Sequence, residues 1–258
     1  MRNLQVQPLA EVLIQEKIRK GYKLLAVLLD PDKVNFEEHR LLEHLSGECS
    51  PDLFLVGGSL LTKGSVHQTV TWLKERLPVP VWLFPGNYLH LTPAADALLF
   101  LSLVSGRNPD FLIGQHVVAA PLIKRMNLAV IPTAYLLIDG GIPTTVSYMS
   151  NTQPIPADKP DVAVATAMAA ELLGMQMVYL EAGSGALYPV SASVITAVRK
   201  AISLPLVVGG GIRSAKALET AYQAGADIVV VGTAWEQNPA IMADMIAVRN
   251  KMYANNAF

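Results

Sequence analysis

Eight short apolar runs recur along this chain, and most lack the in–out alternation of a half-exposed strand. Leu24-Leu-Ala-Val-Leu-Leu29 and Ile228-Val-Val-Val231 are the plainest cases. A strand that is apolar on both faces belongs in a parallel sheet covered by helices. The stretches between the runs mostly carry helical periodicity, so the pattern is β then α, repeated eight times. A closed (β/α)8 barrel fits better than an open sheet, because the glycine-bearing strand ends come late in the chain and not after the first strand. The length of 258 residues suits one such TIM barrel as a single domain, and no linker or low-complexity segment divides it.

The periodicity predicts helices over Pro8–Lys20, Phe36–Cys49, Val66–Leu77, Asp110–Met126, Asp161–Leu173, Ser193–Ile202, Ala215–Ala224 and Pro239–Met252. The strands read as Lys23–Pro31, Asp52–Ser59, Pro80–Asn87, Ala97–Ser105, Ala129–Asp139, Met177–Ala182, Leu204–Val208 and Asp227–Val231. One connection breaks the pattern. Between strands three and four, residues 87–96 leave no room for a crossover helix and its two loops, so the helix after strand 3 is expected to be missing or stunted. Residues 140–160, with four prolines, read as a long functional loop.

Three late strand ends carry glycine: Tyr179-Leu-Glu-Ala-Gly-Ser-Gly185, Val208-Gly-Gly-Gly-Ile-Arg213 and Val230-Val-Gly-Thr-Ala-Trp235. Glycine lets backbone N–H groups approach an anion closely. The last two segments lie where a (β/α)8 barrel builds its phosphate site. A ligand phosphate gripped by backbone, rather than by lysine and arginine, is the expectation. Strand alternation sends Tyr179 and Glu181 to one side, where Glu181 can bind a polyol or take a proton from it. A structural carboxylate bonded to nearby N–H groups is the plainer alternative.

Strand one ends Leu28-Leu-Asp-Pro-Asp-Lys33, which puts Asp30 at the catalytic rim. Asp30 suits Mg²⁺, a hard cation that keeps many water and phosphate ligands; Asp30 and Asp32 would equally serve as turn caps. Ser59, ending strand two, would sit beside Asp30 and complete a metal site or donate to phosphate. Lys33 could reach a diphosphate, but a solvated lysine is the simpler reading. The five histidines show no metal-ligand spacing and read as surface or packing residues.

The formal charge of −1, from 20 basic and 21 acidic residues without a basic block, argues against nucleic-acid binding. One cysteine, Cys49, allows no internal disulfide. Only 16% of residues are charged, below the average of about 25%, while 52% are hydrophobic. That excess points to a buried homo-oligomer surface, an apolar ligand groove, or both. No apolar run approaches the ~20 residues of a spanning helix, and the N-terminus lacks a signal peptide's apolar centre, so a cytoplasmic protein is expected. No dinucleotide fingerprint, P-loop or serine-hydrolase elbow occurs.

At Leu29-Asp-Pro-Asp-Lys33, Val56-Gly-Gly-Ser59, Phe84-Pro-Gly-Asn87, Leu103-Val-Ser-Gly-Arg-Asn-Pro109, Ile113-Gly-Gln-His116, Ile131-Pro-Thr-Ala-Tyr-Leu-Leu-Ile138, Tyr179-Leu-Glu-Ala-Gly-Ser-Gly185, Gly209-Gly-Gly-Ile212 and Val231-Gly-Thr233, the chain resembles the geranylgeranylglyceryl phosphate synthase family. That family also includes the bacterial heptaprenylglyceryl phosphate synthases, and the likeness is to its second group. The late glycines alone are shared by many phosphate-binding barrels; the other segments make the match specific. The resemblance implies Mg²⁺-dependent prenyl transfer from an isoprenyl diphosphate to the 3-hydroxyl of sn-glycerol 1-phosphate. It further implies metal-site roles for Asp30 and Ser59. The glycerol phosphate site would comprise Tyr179, Leu180, Glu181, Ala182, Gly183, Ser184, Gly185, Gly210, Gly211, Gly232 and Thr233, with Glu181 and Tyr179 catalytic. Membrane contact would be transient, for product release. Two other readings compete: another phosphosugar enzyme on the same barrel, and a non-catalytic phosphate-binding barrel. No strand ends in an evident Schiff-base lysine, which disfavours an aldolase. Leu98, Leu99, Phe100 and Leu101 border the expected gap and are the residues expected to end a prenyl groove, with one alternating pair facing it.

Overall fold

The structure is a computed structural model describing residues 10–34 and 50–254. The predicted helix Phe36–Cys49, with His39, His44 and Cys49, lies outside the described residues. Eight parallel strands close a barrel in sequence order: β1 (Leu24–Leu29), β2 (Leu53–Gly58), β3 (Val81–Pro85), β4 (Ala97–Leu103), β5 (Val130–Leu137), β6 (Met177–Glu181), β7 (Leu206–Gly209) and β8 (Ile228–Val231). The helices described are α1 (Ala10–Arg19), α2 (Val66–Arg76), α3 (Gln115–Met126), α4 (Thr145–Ser150), α5 (Pro160–Leu172), α6 (Ala192–Ala201), α7 (Ala215–Ala224), α8 (Thr233–Gln237) and α9 (Ile241–Ala254).

The strands are apolar on both faces because both faces are packed. One set of side chains fills the barrel: Leu55 lies level with Trp82, Leu99 with Ile131, and Ala26 with Leu53. The alternate set, including Val27, Phe54, Leu136 and Val208, packs against the helices. Local signals start the helices. Ser65, Ser191 and Ser214 cap α2, α6 and α7, each side chain accepting a backbone N–H in the first turn. Pro160 opens α5, where its missing N–H costs nothing.

Between β3 and β4 stands only a single 3-10 turn, Tyr88–His90. Asn87 Oδ1 accepts the Leu89 N–H at 2.8 Å, and His90 Nδ1 accepts that of Gly86 at 3.1 Å. These bonds satisfy the backbone locally, so the segment folds without a helix. Two expectations need correction. The 140–160 connection is not all loop: it contains α4, whose start is tied by the Thr144 N–H to Ser147 Oγ at 3.1 Å. The segment after β8 also folds into α8 before the closing helix begins. Helices of six and five residues hold too few turns to show a period, which is why neither was legible.

Candidate active site

The C-terminal strand ends open into a polar cavity. Asp30, Ser59, Tyr179, Glu181, Ser184, Gly185, Gly210, Gly211, Gly232 and Thr233 all line it. Leu180 and Ala182 do not; their side chains join the layer between strands and helices, because alternation turns them away from Tyr179 and Glu181. Gly183 contributes its N–H to Glu181.

Glu181 is 5% exposed at the end of β6. Its Oε1 accepts the Gly183 N–H at 2.7 Å. Burial pushes its pKa up to about 7, against the lowering pull of the Gly183 N–H and the Tyr179 hydroxyl. Tyr179 Oη is fully buried and makes no well-formed hydrogen bond. Burial, with the Glu181 charge second, holds this phenol well above its usual range, so it stays protonated. The next strand must be bare for these two groups to meet: a Cβ on Gly209 would lie 2.8 Å from Glu181 Oε2 and collide with Tyr179 Oη. Gly210 has a left-handed φ of 78°, and a Cβ there would strike Glu181 Oε1 and approach the Gly183 N at 2.6 Å. Gly209 at the end of β7 and Gly210 just after it thus make room for the carboxylate.

The glycine loops converge on one corner of the cavity. Ser184 Oγ and Thr233 Oγ1 lie 3.4 Å apart across the gap between the β6 and β8 loops. Arg213 lines the same corner and donates to the carbonyls of Ala186 at 2.7 Å and Gly185 at 3.3 Å. Its guanidinium braces the β6 loop beside the backbone cradle, a role the sequence carried no sign of.

On the opposite wall, Asp30 ends β1 and its carboxylate passes over Gly58, whose Cβ position is 3.6 Å from Asp30 Oδ1. Oδ1 accepts the Asp32 N–H at 3.0 Å. Asp32 faces away: it accepts Thr62 N and Thr62 Oγ1, both at 2.8 Å, Gly64 N at 2.6 Å and Lys63 N at 3.1 Å. Those bonds hold its carboxyl far below the usual carboxylate range. Asp32 is therefore a clasp between the β1 and β2 loops. Lys33 is exposed, as a solvated lysine would be, but it is also ion-paired. Its ammonium lies 2.8 Å from Glu236 on α8 and 3.6 Å from Asp30. Partial burial lowers its pKa, but the two carboxylates more than offset that.

Hard oxygen donors from one carboxylate and one hydroxyl, Asp30 and Ser59, share this wall. Among the described residues no group of three or more His, Cys, Asp or Glu side chains gathers in a metal-ligand cluster. So sparse a donor set fits Mg²⁺, which takes most of its ligands from water and phosphate oxygens.

A second, apolar groove opens from the polar cavity where the outer ring lacks a helix. Gly58, Ser59, Phe84, Tyr135 and Val146 line both. Tyr88, Leu91, Leu98, Phe111, His116 and Ala119 also line the groove. Of the four β4 residues proposed to border it, Leu98 and Phe100 are the alternating pair that faces it from the strand's outer side. Leu101 also borders it, and Leu99 points into the barrel. Phe84, Tyr135 and Tyr179 form an aromatic cluster at the junction, with Phe84 stacked on Tyr179 at 5.3 Å and Tyr135 5.5 Å from Tyr179. Tyr135 lies in a segment that carries the family resemblance, but no site role is read for it from the sequence. It shares the register of Tyr179, so alternation along β5 was the signal that could have placed it.

A family model described as the PcrB family matches residues 16–250. The geranylgeranylglyceryl phosphate synthase of Spirosoma linguale is 52% identical over 228 residues, 88% of this chain and 92% of that protein. Its namesake from the archaeon Korarchaeum cryptofilum is 41% identical, covering 90% of this chain and 96% of that one. Among solved structures, (S)-3-O-geranylgeranylglyceryl phosphate synthase from Thermoplasma acidophilum, in complex with its substrate sn-glycerol-1-phosphate, superposes with a TM-score of 0.85. Its identity is 31%, over 93% of this chain and 98% of that one.

Proposed function

We propose, from the premise that this chain belongs to the PcrB family, that it is a geranylgeranylglyceryl phosphate synthase: it transfers a prenyl group from an isoprenyl diphosphate to the 3-hydroxyl of sn-glycerol 1-phosphate. The observation that carries this reading is the join between the two cavities. A polar mouth with a glycine cradle and a carboxylate opens directly into an apolar groove, so one ligand can be polar at one end and a hydrocarbon at the other.

The chemistry follows from where the groups stand. The backbone at 183–185, 210–211 and 232–233, with the Ser184 and Thr233 hydroxyls, holds the glycerol's phosphate. That places its hydroxyls toward Tyr179 Oη, a buried donor with no well-formed hydrogen bond, and toward Glu181. Asp30 and Ser59 would hold Mg²⁺, which when bound supplies charge neutralisation for the leaving diphosphate. Lys33 can turn its ammonium from Glu236 to the same diphosphate. The allylic C–O bond breaks with its electron pair leaving on the diphosphate. The glycerol oxygen forms the new ether bond to that carbon, and its proton passes to the Glu181 carboxylate. The faces of Tyr135, Tyr179 and Phe84 lie where cationic character develops, and the packed junction keeps water from capturing it.

The test is enantiomer choice combined with metal dependence. Mg²⁺-dependent turnover with sn-glycerol 1-phosphate should exceed that with the 3-phosphate, and Asp30→Asn should lose turnover to background while melting like the wild type. Equal kcat/KM for both enantiomers would defeat the assigned glycerol site. Undiminished turnover in Asp30→Asn would remove that residue from the metal site.

A further inference from the structure

One polar side chain stands on the wall of the apolar groove without an evident task. His116, on the first turn of α3, is 8% exposed and lines the groove. Its Nε2 pairs with Ser102 Oγ at 3.1 Å, and Ser102 is itself buried on the outer face of β4. Its Nδ1 is buried and meets no well-formed partner. A purely apolar side chain would be expected on such a wall, since a bare imidazole nitrogen is costly to bury. What the ring gains is position. It meets Phe100 edge to face, with centroids 4.4 Å apart, and Phe100 is partly exposed toward the groove. The Ser102 hydroxyl, two residues along the same strand, fixes the imidazole, and the imidazole fixes the phenyl ring. Burial lowers the pKa of His116, against the raising pull of the Leu101 carbonyl, and so disfavours the charged imidazolium on this wall.

We propose that His116 is a positioning residue for prenyl-chain selection: anchored by Ser102, it holds the Phe100 ring across the groove and so sets how long a chain can seat. This rests on the reading of the apolar groove as the prenyl site. An unanchored phenyl ring on a partly open wall has rotamer freedom, and a longer chain could push it aside. Held by an edge-on neighbour that is itself hydrogen-bonded, it becomes a fixed stop.

The experiment is a substrate-length series, C15 to C35 diphosphates, read as the ratio of kcat/KM for C25 to that for C20. In Phe100→Ala this ratio should rise about tenfold or more, since one pocket-sized change discriminates chains to that order. His116→Ala should raise it about fivefold, in keeping with the loss of one aromatic edge contact. Ser102→Ala should raise it about two- to threefold, and Ser102→Thr, which keeps the hydroxyl, should return it to the wild-type value. The KM for sn-glycerol 1-phosphate should stay unchanged throughout. His116→Ala added to Phe100→Ala should change the ratio no further, because His116 acts through the ring. If His116→Ala fails to fold, the Ser102 pair decides the matter alone. A shifted ratio in Phe100→Ala with none in His116→Ala or Ser102→Ala overturns the positioning role and leaves the groove standing. No shift in any variant shows that the chain does not pass Phe100, which overturns the groove reading and this proposal together.

Discussion

The two ends of the barrel treat buried polar groups in opposite ways. At the N-terminal end, Asp52 accepts four donors: Leu25 N at 3.1 Å, Arg249 Nη1 at 2.7 Å, Lys17 Nζ at 3.1 Å and Tyr253 Oη at 2.8 Å. These join β1 and β2 to the first and last helices. Asp227 does the same beside it, taking Lys23, Arg199 and the Leu206 N–H. At the C-terminal end, Glu181 has one well-formed donor and Tyr179 Oη has none. A satisfied network rigidifies; an unsatisfied one waits for a ligand. Burial alone therefore does not mark a functional group. Burial without partners, facing a cavity, does.

That contrast can be broken by experiment. The largest effect is expected at Glu181. Glu181→Gln should lower kcat by about 10²–10⁴-fold, the usual worth of a positioned base, with a smaller change in phosphate affinity. In the wild type, kcat/KM should rise with pH through about 7 as the carboxylate forms, and that limb should vanish in the variant. Stability should move the other way. The folded pKa is raised from 4.5 to about 7, so the proton's contribution is full below pH 4.5 and is lost as pH rises through 7. Glu181→Gln, which cannot ionise, should then melt above the wild type at pH 8. A variant less stable than the wild type there would mean that the carboxylate is structural.

Asp52→Ala at the other end should cost about 3–5 kcal/mol of folding free energy, because it leaves the buried Arg249 without its carboxylate. Denaturant unfolding measures it, and residual folded enzyme should keep its KM values. The smallest effect is Tyr179→Phe. Deleting a hydroxyl that makes no well-formed hydrogen bond, only a loose approach to Glu181, should leave stability little changed, while kcat falls roughly tenfold. A destabilised Tyr179→Phe would show that the hydroxyl is bonded in the free protein, and the contrast between the two ends would lose its sharper half.

Much of the site was legible beforehand for a local reason. Strand alternation put Tyr179 and Glu181 on one face, and it would have added Tyr135 had it been applied to β5. The glycine strand ends and Asp30 sat at positions that a barrel sends to its C-terminal rim. The ion pairing of Lys33 was not legible because Glu236, which holds it, lies 203 positions away. The short helices α4 and α8, which bring Thr145, Val146 and Glu236 to the mouth, carried too few residues to show a period.

The sequence by itself determined the eight-strand barrel, the absence of a full helix between β3 and β4, and the convergence of three glycine loops. Those follow from hydrophobic period, connection length and backbone freedom, which act over a few residues at a time. The tertiary structure alone decided that Glu181 titrates near 7, that Asp32 is a clasp while Asp30 faces the cavity, and that Phe100 meets His116 in a groove joined to the polar mouth. Each of these depends on desolvation and on contacts beyond a residue's own strand or turn, and such terms exist only once the barrel has closed.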